Sequence, residues 1–357
     1  MLFKKYLAYP LLLLCAPSIQ SLQADSNTEI GIYFWGGALD DSGTEGILGP
    51  GHKLLEKIGS SSVRIAMSPR SDPDYGISKN CIANFSLTKL AERPDFKNIL
   101  SNPKFETIMI TAYDDSSGVC NNNEFLNPDF YTRQTLEKIE KEYREFASYL
   151  NANFPDKFFI ISNWEGDNSI YCGSASNATA ETCPDYGKNM EGFTRWINAR
   201  TRGIKLSGAT NVYSAIEFNS VKMLRDKKLP DILHDVLPII NADFFSYSAY
   251  ESTNQISPHD NNTGDKFTDD IKYIREILSV NGFHQYRLII GELGFNKSTG
   301  QESTDSLKIG LEVVAKANIK YTYIWNLLNV GGNFGLFDGG GELTQSGEYL
   351  CKILKDK

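Results

Sequence analysis

Eight short apolar runs, separated by longer amphipathic segments, constrain the fold of this 357-residue chain more than any other feature of its sequence. The runs are rich in β-branched and aromatic residues, as strands are, and cover residues 29–35, 62–68, 107–114, 158–165, 211–219, 243–252, 286–295 and 321–328. Between them, apolar residues recur at three- and four-residue spacing, most clearly over 132–154 and 265–282, which indicates helices. Eight strands that alternate with helices predict a single-domain α/β fold, a (β/α)8 TIM barrel.

An open, doubly wound sheet that binds a dinucleotide is the main competing α/β architecture. Its first strand should be followed by a GxGxxG turn, but the glycine-rich segment YFWGGALDDSGTEG at 33–46 does not keep that spacing. The sequence holds no P-loop motif, and no low-complexity linker divides it. We therefore predict one barrel domain over residues 25–357, with no cofactor.

The first 24 residues have the composition of a cleaved secretory signal peptide. Lys4 and Lys5 precede an apolar stretch, and small and polar residues follow up to Ala24. A lipid anchor at Cys15 is disfavoured because the large Leu14 stands where a small residue is expected. No later apolar run approaches the roughly 20 residues that a membrane-spanning helix needs. We expect a secreted or periplasmic protein.

Charge and cysteine content fit export and argue against some partners. Residues 1–24 contain two lysines and no acid, so the rest of the chain has 44 acidic against 34 basic residues, which disfavours binding to nucleic acid. In an oxidising compartment Cys172 could pair with Cys183 and Cys81 with Cys120, although spacing alone does not fix the connectivity. The four histidines are scattered and the sequence has no CxxC, so we expect no metal site.

Two acids follow predicted strands on the face of a barrel where active sites lie. Glu165 ends the fourth run, FFIISNWE, and Glu292 ends the apolar part of the seventh, in GELG. Alternate residues from Phe159 to Glu165 share one side of strand four, and alternate residues from Leu288 to Glu292 share one side of strand seven. If those sides face the barrel interior, the two carboxylates meet over its mouth. A protonated and an ionised carboxyl across a small gap are what glycoside hydrolysis requires.

Other residues near strand ends fit the same chemistry. Arg64 on strand two could hold a carboxylate nucleophile ionised, because a nearby cation lowers a carboxyl pKa. Trp35, Trp164 and Trp325 offer flat apolar faces on which sugar rings stack. Glu217 on strand five is a candidate substrate contact or a member of a salt bridge.

These features together resemble a known group of enzymes. The eight strands, an acid after an asparagine at strand four, GELG at strand seven and the closing GLFDGGGELTQSGEYL are similar to the clan of retaining (β/α)8 glycoside hydrolases with catalytic glutamates on strands four and seven, clan GH-A. The resemblance implies a monomer that acts on a carbohydrate. It also implies that Glu165 is the acid/base and Glu292 the nucleophile.

The same resemblance assigns further roles and shows one departure. It implies that Asn163 contacts the sugar 2-hydroxyl, that Tyr250 or Tyr247 hydrogen-bonds the nucleophile, and that Trp325 forms the floor of the site. In the clan the asparagine directly precedes the acid/base, whereas here Trp164 separates Asn163 from the glutamate.

Each assignment has an alternative. Glu292 and Arg64 fit a buried ion pair, the tryptophans fit core packing, and Asp167 competes with Glu165 for the acid role. At the level of function, the alternatives are a catalytically inactive barrel that binds a glycan or a protein, and an inverting hydrolase that uses Asp167 or Glu217. An esterase is disfavoured because the sequence has no GxSxG motif.

Overall fold

The computed structural model describes residues 28–40, 46–120, 126–258, 264–330 and 332–355. Eight parallel strands pair in chain order, and the eighth pairs with the first to close a barrel. The strands are β1 Glu29–Phe34, β2 Ser62–Met67, β3 Thr107–Ala112, β4 Phe158–Ser162, β5 Val212–Phe218, β6 Phe244–Ser248, β7 Leu288–Leu293 and β8 Tyr321–Trp325. The predicted single (β/α)8 barrel is confirmed.

Helices lie between consecutive strands and after the last one. They are α1 Leu48–Ile58, α2 Ser71–Asp74, α3 Leu87–Glu92, α4 Pro94–Leu100, α5 Arg133–Asn153, α6 Gly166–Ile170, α7 Tyr186–Leu206, α8 Met223–Asp226, α9 Tyr250–Thr253, α10 Asp265–Val280, α11 Gly300–Lys316 and α12 Gln345–Lys355. Threonine side chains cap two of the long helices: Thr132 accepts the N–H of Thr135 at α5, and Thr299 accepts that of Glu302 at α11.

Both cysteine pairs suggested by the sequence form disulfides, Cys81–Cys120 and Cys172–Cys183, while Cys351 is free and buried. Within the described ranges, no helix is long and apolar enough to cross a membrane. The predicted signal peptide, with Cys15, lies outside the described residues.

The barrel interior takes the opposite face of β4 and β7 from the one predicted. Ile160 and Ile289 pack inside the barrel in a small cluster with Met109, Ala215, Tyr321 and Tyr323. Phe159 and Leu288 belong instead to the large core between the strands and the helices. The condition set from alternation, that the side of Phe159 and the side of Leu288 face the barrel interior, is therefore not met. Strands of a parallel barrel are buried on both faces, so the sequence pattern does not mark the inner one.

Above the apolar cluster the barrel interior is polar and tightly filled. Arg64, Thr111, Glu217 and Ser246 hydrogen-bond one another there, and all four are buried. A Cβ on Gly291 would lie only 2.1 Å from Glu217 Oε2 and from Ser246 Oγ. The glycine therefore leaves the room that this polar layer occupies.

We predict that Gly291→Ala lowers the free energy of unfolding by about 1–3 kcal/mol, because the added methyl group must displace the polar layer. Gly187→Ala on α7 is the matched control, since its Cβ would meet nothing within 4 Å. The control should change stability by less than about 1 kcal/mol. Urea denaturation of both variants measures the difference, and a wild-type midpoint for Gly291→Ala would contradict the packing described.

Candidate active site

Glu165 reaches the barrel mouth because the backbone leaves strand geometry before it. β4 ends at Ser162, and Glu165 itself has φ 24° and ψ 76°, in a region that non-glycine residues rarely occupy. Its N–H donates to Glu217 Oε1 at 3.1 Å, so this unusual conformation is held from the barrel interior. Strain of this kind, of order 1–3 kcal/mol, is typical of functional positions.

Glu292 reaches the same region through a bulge in β7. Tyr247 pairs with Ile290, but the next residue of β6, Ser248, pairs with Glu292, so β7 has one residue more than its neighbour. The pairing with β8 is irregular over the same stretch. A bulge of this type turns a side chain to the other face of a sheet. Glu292 Oε1 consequently lies 3.6 Å from Arg64 Nη1, inside the barrel.

Arg64 forms the centre of the polar layer beneath both acids. Its two terminal nitrogens donate to the two oxygens of Glu217 at 2.7 and 2.9 Å, a bidentate pair. Nη1 also donates to the carbonyl of Gly291 at 2.9 Å, and Nε donates to Thr111 Oγ1 at 2.9 Å. The guanidinium lies 4.1 Å from the ring centre of Tyr33. Arg64 is wholly enclosed, as the ion-pair alternative from the sequence required.

Burial and nearby negative charges raise the pKa of both acids. Burial, followed by the negative charge of Glu217, raises the pKa of Glu165 to about 8, although Asn168 donates a hydrogen bond to its carboxylate. Burial, followed by the charge of Glu165, raises the pKa of Glu292 well above its usual range, against the opposing effects of Arg64 and the Tyr250 hydroxyl. The pair therefore retains a proton at neutral pH.

The two tyrosines proposed to hydrogen-bond the nucleophile lie in different environments. Tyr250, the first residue of α9, hydrogen-bonds Glu292. Tyr247 is buried in the outer core, where its ring stacks on Phe218 at 5.5 Å and its hydroxyl bonds Ser252. The assignment to Tyr247 is therefore corrected, because its position on β6 faces the helices.

Asn163 binds the neighbouring strand. Its side-chain oxygen accepts the N–H of Glu217 at 3.0 Å, and its amide nitrogen donates to the carbonyl of Glu217 at 2.9 Å. With no exposed surface and both amide atoms bonded to β5, it is placed to join β4 to β5. This geometry does not support the expected contact with a sugar hydroxyl.

Trp164, the residue that interrupts the expected motif, is 37% exposed and lines a cavity of about 810 Å³. Trp35 and Trp325 form another part of its wall, with ring centres 5.5 Å apart, and Tyr33 lies edge-on to Trp325 at 4.9 Å. Polar residues complete the lining, among them Ser68, Arg70, Asp74, Asn127, Ser169 and Asn189. Such a mixture of aromatic and hydrogen-bonding groups suits a sugar, whose ring has apolar faces and polar edges.

The two carboxylates are nearly enclosed and are not among the residues that line this cavity, although Trp164, which does line it, directly precedes Glu165. Glu165 is 5% exposed and Glu292 is 2% exposed. Tyr33 lines the cavity wall, and its ring packs on the guanidinium of Arg64, which lies 3.6 Å from Glu292.

The carboxylate of Asp167, the competing acid after β4, accepts hydrogen bonds from backbone N–H groups. Its two oxygens accept the N–H groups of Asn219, Ser220 and Ile232 at 2.8–3.0 Å, and it has no exposed surface. Burial raises its pKa to about 7, and the nearby Asp231 adds to that rise. These bonds fit a structural carboxyl that anchors the loops after β4, β5 and α8.

Two further residues at strand ends, to which the sequence assigned no particular role, support the cavity wall. Asn326 receives the N–H of Trp35 at 3.1 Å and donates to its carbonyl, so it fixes the ends of β1 and β8 where two cavity tryptophans lie. Tyr113 lines the cavity and hydrogen-bonds the N–H of Trp164 at 3.0 Å. Their place at strand ends was the available signal, but a polar or aromatic side chain there has no distinctive pattern.

The fold is shared with enzymes that act on glycosides. The chain is similar in structure to a GH1 β-glucosidase from Exiguobacterium antarcticum (TM-score 0.59, 13% identity, 92% of this chain and 97% of that one). It is also similar to a family 5 xyloglucanase from Paenibacillus pabuli (TM-score 0.58, 15% identity, 94% of this chain and 99% of that one). A third similar structure is a GH5-4 endoglucanase from Clostridium acetobutylicum (TM-score 0.56, 14% identity, 92% of this chain and 96% of that one). No protein-family profile and no curated protein sequence matches the chain. The resemblance in fold to these hydrolases is thus confirmed.

We predict that Glu165→Gln becomes more stable relative to the wild type as the pH rises. The folded wild type binds a proton at Glu165 that the unfolded chain, with a pKa near 4.5, has released, so its stability falls between pH 4.5 and about 8. The glutamine variant lacks this loss, and its relative free energy of unfolding should rise across that window by about 2–4 kcal/mol. Urea denaturation at pH 5, 6.5 and 8 measures it.

Glu312→Gln, a change to an exposed carboxylate on α11, is the control and should alter stability by less than about 0.5 kcal/mol. An advantage of Glu165→Gln that stays constant or shrinks with rising pH would show that the acid is not held protonated.

Proposed function

We propose that the protein is an exported glycoside hydrolase that cleaves a poly- or oligosaccharide with retention of anomeric configuration. The observation that carries the proposal is the pair Glu165 and Glu292, two buried acids whose pKa values are raised at the carboxyl-terminal mouth of the barrel. An aromatic-lined cavity, whose wall includes Trp164 next to Glu165, accompanies them. The fold is that of proteins described as glucosidases, xyloglucanases and endoglucanases, which supports glycoside chemistry as the reaction class.

The contacts of each acid suggest its role. Arg64 and the Tyr250 hydroxyl both favour the carboxylate form of Glu292, against the burial that raises its pKa. When the pair holds a single proton, Glu292 is therefore the member that attacks the anomeric carbon. Glu165 holds a proton at neutral pH and gives it to the departing glycosidic oxygen. In the second half of the reaction, Glu165 takes a proton from a water molecule whose oxygen attacks the anomeric carbon. This attack breaks the bond to Glu292 and releases the sugar.

The cavity binds the carbohydrate chain. Trp35, Trp325 and Trp164 stack on sugar faces, and the polar lining residues accept and donate hydrogen bonds to hydroxyls. The predicted leader and the two disulfides support function in the periplasm or outside the cell. Neither proposed role involves a cofactor or a metal.

A catalytically inactive, glycan-binding barrel is the second candidate. The observations that favour it are the near enclosure of both acids and the exposure of Trp164, which stands between Asn163 and Glu165. Such a protein would bind glycans on its tryptophans without cleaving them. Parallel binding and hydrolysis measurements on one set of oligosaccharides separate the two candidates.

We predict that Glu165→Gln lowers kcat about 10²–10⁴-fold on substrates with poor leaving groups, because the proton donor is lost. Glu292→Gln should abolish turnover, and azide should restore activity to Glu292→Ala with formation of a glycosyl azide. Initial rates on aryl glycosides and oligosaccharides, with proton NMR of the first-formed anomer, measure both effects.

Asp167→Asn serves as the control for loss of a buried acid nearby. It should lower stability yet keep kcat per folded molecule, since Asp167 bonds only to backbone in the described contacts. Wild-type protein that binds oligosaccharides and cleaves none would support the inactive barrel. A first product with inverted configuration would exclude the retaining mechanism.

A further inference from the structure

We propose that Glu217 is the positioning residue of this site, which fixes both candidate catalytic acids at once through its bonds to Arg64 and to the backbone N–H of Glu165. The inference rests on the proposed function and deepens it, because it assigns a task to an acid that lies outside the proposed acid/base and nucleophile roles. Of the two roles considered for Glu217 from the sequence, a substrate contact or a salt bridge, the structure shows the salt bridge, with Arg64.

Every bond of the Glu217 carboxylate is made within the protein. Oε1 accepts from Arg64 Nη2 at 2.9 Å and from the N–H of Glu165 at 3.1 Å. Oε2 accepts from Arg64 Nη1 at 2.7 Å and from Ser246 Oγ at 2.6 Å. With four donors and no exposed surface, the carboxylate has no oxygen left for a sugar hydroxyl.

The bond to Glu165 acts on the acid/base through its backbone. This N–H belongs to the residue with φ 24°, where the chain turns from β4 into α6. The backbone of Glu217 is itself held on the same side, since Asn163 bonds both its N–H and its carbonyl. A change in the Glu217 side chain therefore alters where the Glu165 carboxyl points, although the two side chains do not bond each other.

The bonds to Arg64 act on the nucleophile. Glu217 accepts hydrogen bonds from two nitrogens of the Arg64 guanidinium, and one of these, Nη1, lies 3.6 Å from Glu292 Oε1. The same guanidinium donates to the carbonyl of Gly291, the residue next to Glu292 in the bulge. Glu217 Oε2 also occupies the space that a side chain at position 291 would fill. The bulge that presents Glu292 thus lies directly on the Arg64–Glu217 pair.

Charge gives this arrangement a second effect. The negative charge of Glu217 raises the pKa of Glu165 and of Glu292, while Arg64 lowers both. Other ionisable groups face these acids from neighbouring elements. Tyr33 on β1 and Tyr250 on α9 interact with Glu292, and Asp167 on α6 interacts with Glu165. Tyr113 after β3 and Arg200 on α7 interact with Glu217 itself. Glu217 is the second-largest cause of the rise at Glu165, after burial. It therefore helps Glu165 to keep its proton.

The test is Glu217→Gln in the full-length protein, because glutamine keeps the shape and removes the charge. We expect kcat to fall about 10²-fold through misplacement of the acids, with KM nearly unchanged since Glu217 does not line the cavity. The alkaline limb of the kcat/KM profile should move to lower pH, because Glu165 loses a repelling charge. Stopped assays from pH 4 to 10 give both quantities.

Glu217→Asp and Ser246→Ala are the matched variants, since both keep the negative charge. Glu217→Asp should reduce kcat but leave the alkaline limb in place, and Ser246→Ala, which removes a single donor, should leave the limb in place with a smaller loss of kcat. If Glu217→Gln does not fold, Glu217→Asp with unaltered kcat overturns the proposal. Wild-type kcat and an unmoved alkaline limb in Glu217→Gln also overturn it.

A titration by carbon NMR of ¹³C-carboxyl-labelled glutamates separates this proposal from the proposed function. Even in a protein that cleaves no glycoside, the signals of Glu165 and Glu292 should titrate at lower pH in Glu217→Gln than in the wild type. Unchanged titration of both signals would refute the positioning role, whereas absent hydrolysis with shifted titration would refute only the proposed reaction.

Discussion

The ion pair between Arg64 and Glu217 is the interaction on which the upper half of the barrel depends. It crosses the interior from β2 to β5, is closed to solvent, and leaves its remaining donors and acceptors to β3, β6 and β7. A buried ion pair stabilises a fold only when its remaining bonds are satisfied, and here every oxygen of Glu217 has two donors. The main effect of the pair is therefore to fix the positions of the groups that bond to it.

The groups that it places are two acids from β4 and β7, which lie three strands apart in the ring. Neither reaches the site by regular strand geometry, since Glu165 lies beyond the end of β4 and Glu292 in a bulge of β7. Both irregular segments are bonded to the pair, one through a backbone N–H and the other through the carbonyl of Gly291. The strained backbone at Glu165 and the bulge at Glu292 are thus both held by the same buried polar network. Backbone strain is common at sites where a protein brings acidic groups together.

The barrel could be predicted from the sequence because the strand pattern occurs eight times and alternates with amphipathic helices. An error at one element would therefore not change the predicted fold. Glu165, Glu292 and Arg64 could be selected as candidates, and the two cysteine pairs as possible disulfides, because strand ends and unusual residues within apolar runs are visible in the sequence. The inner face was not readable, because both faces of β4 and β7 are buried. The roles of Asn163, Tyr247 and Glu217 depend on which neighbour each side chain meets, and sequence spacing does not carry that information.

The most direct measurement of the central claim is covalent trapping of the nucleophile. Intact protein is incubated with 2-deoxy-2-fluoro glycosides of several sugars that carry an activated leaving group, then digested and analysed by mass spectrometry. The account predicts one sugar per chain, attached to the peptide that contains Glu292, and no label in Glu292→Gln. A label on Glu217, Asp167 or Glu165, or no label with any sugar that the protein hydrolyses, would contradict it.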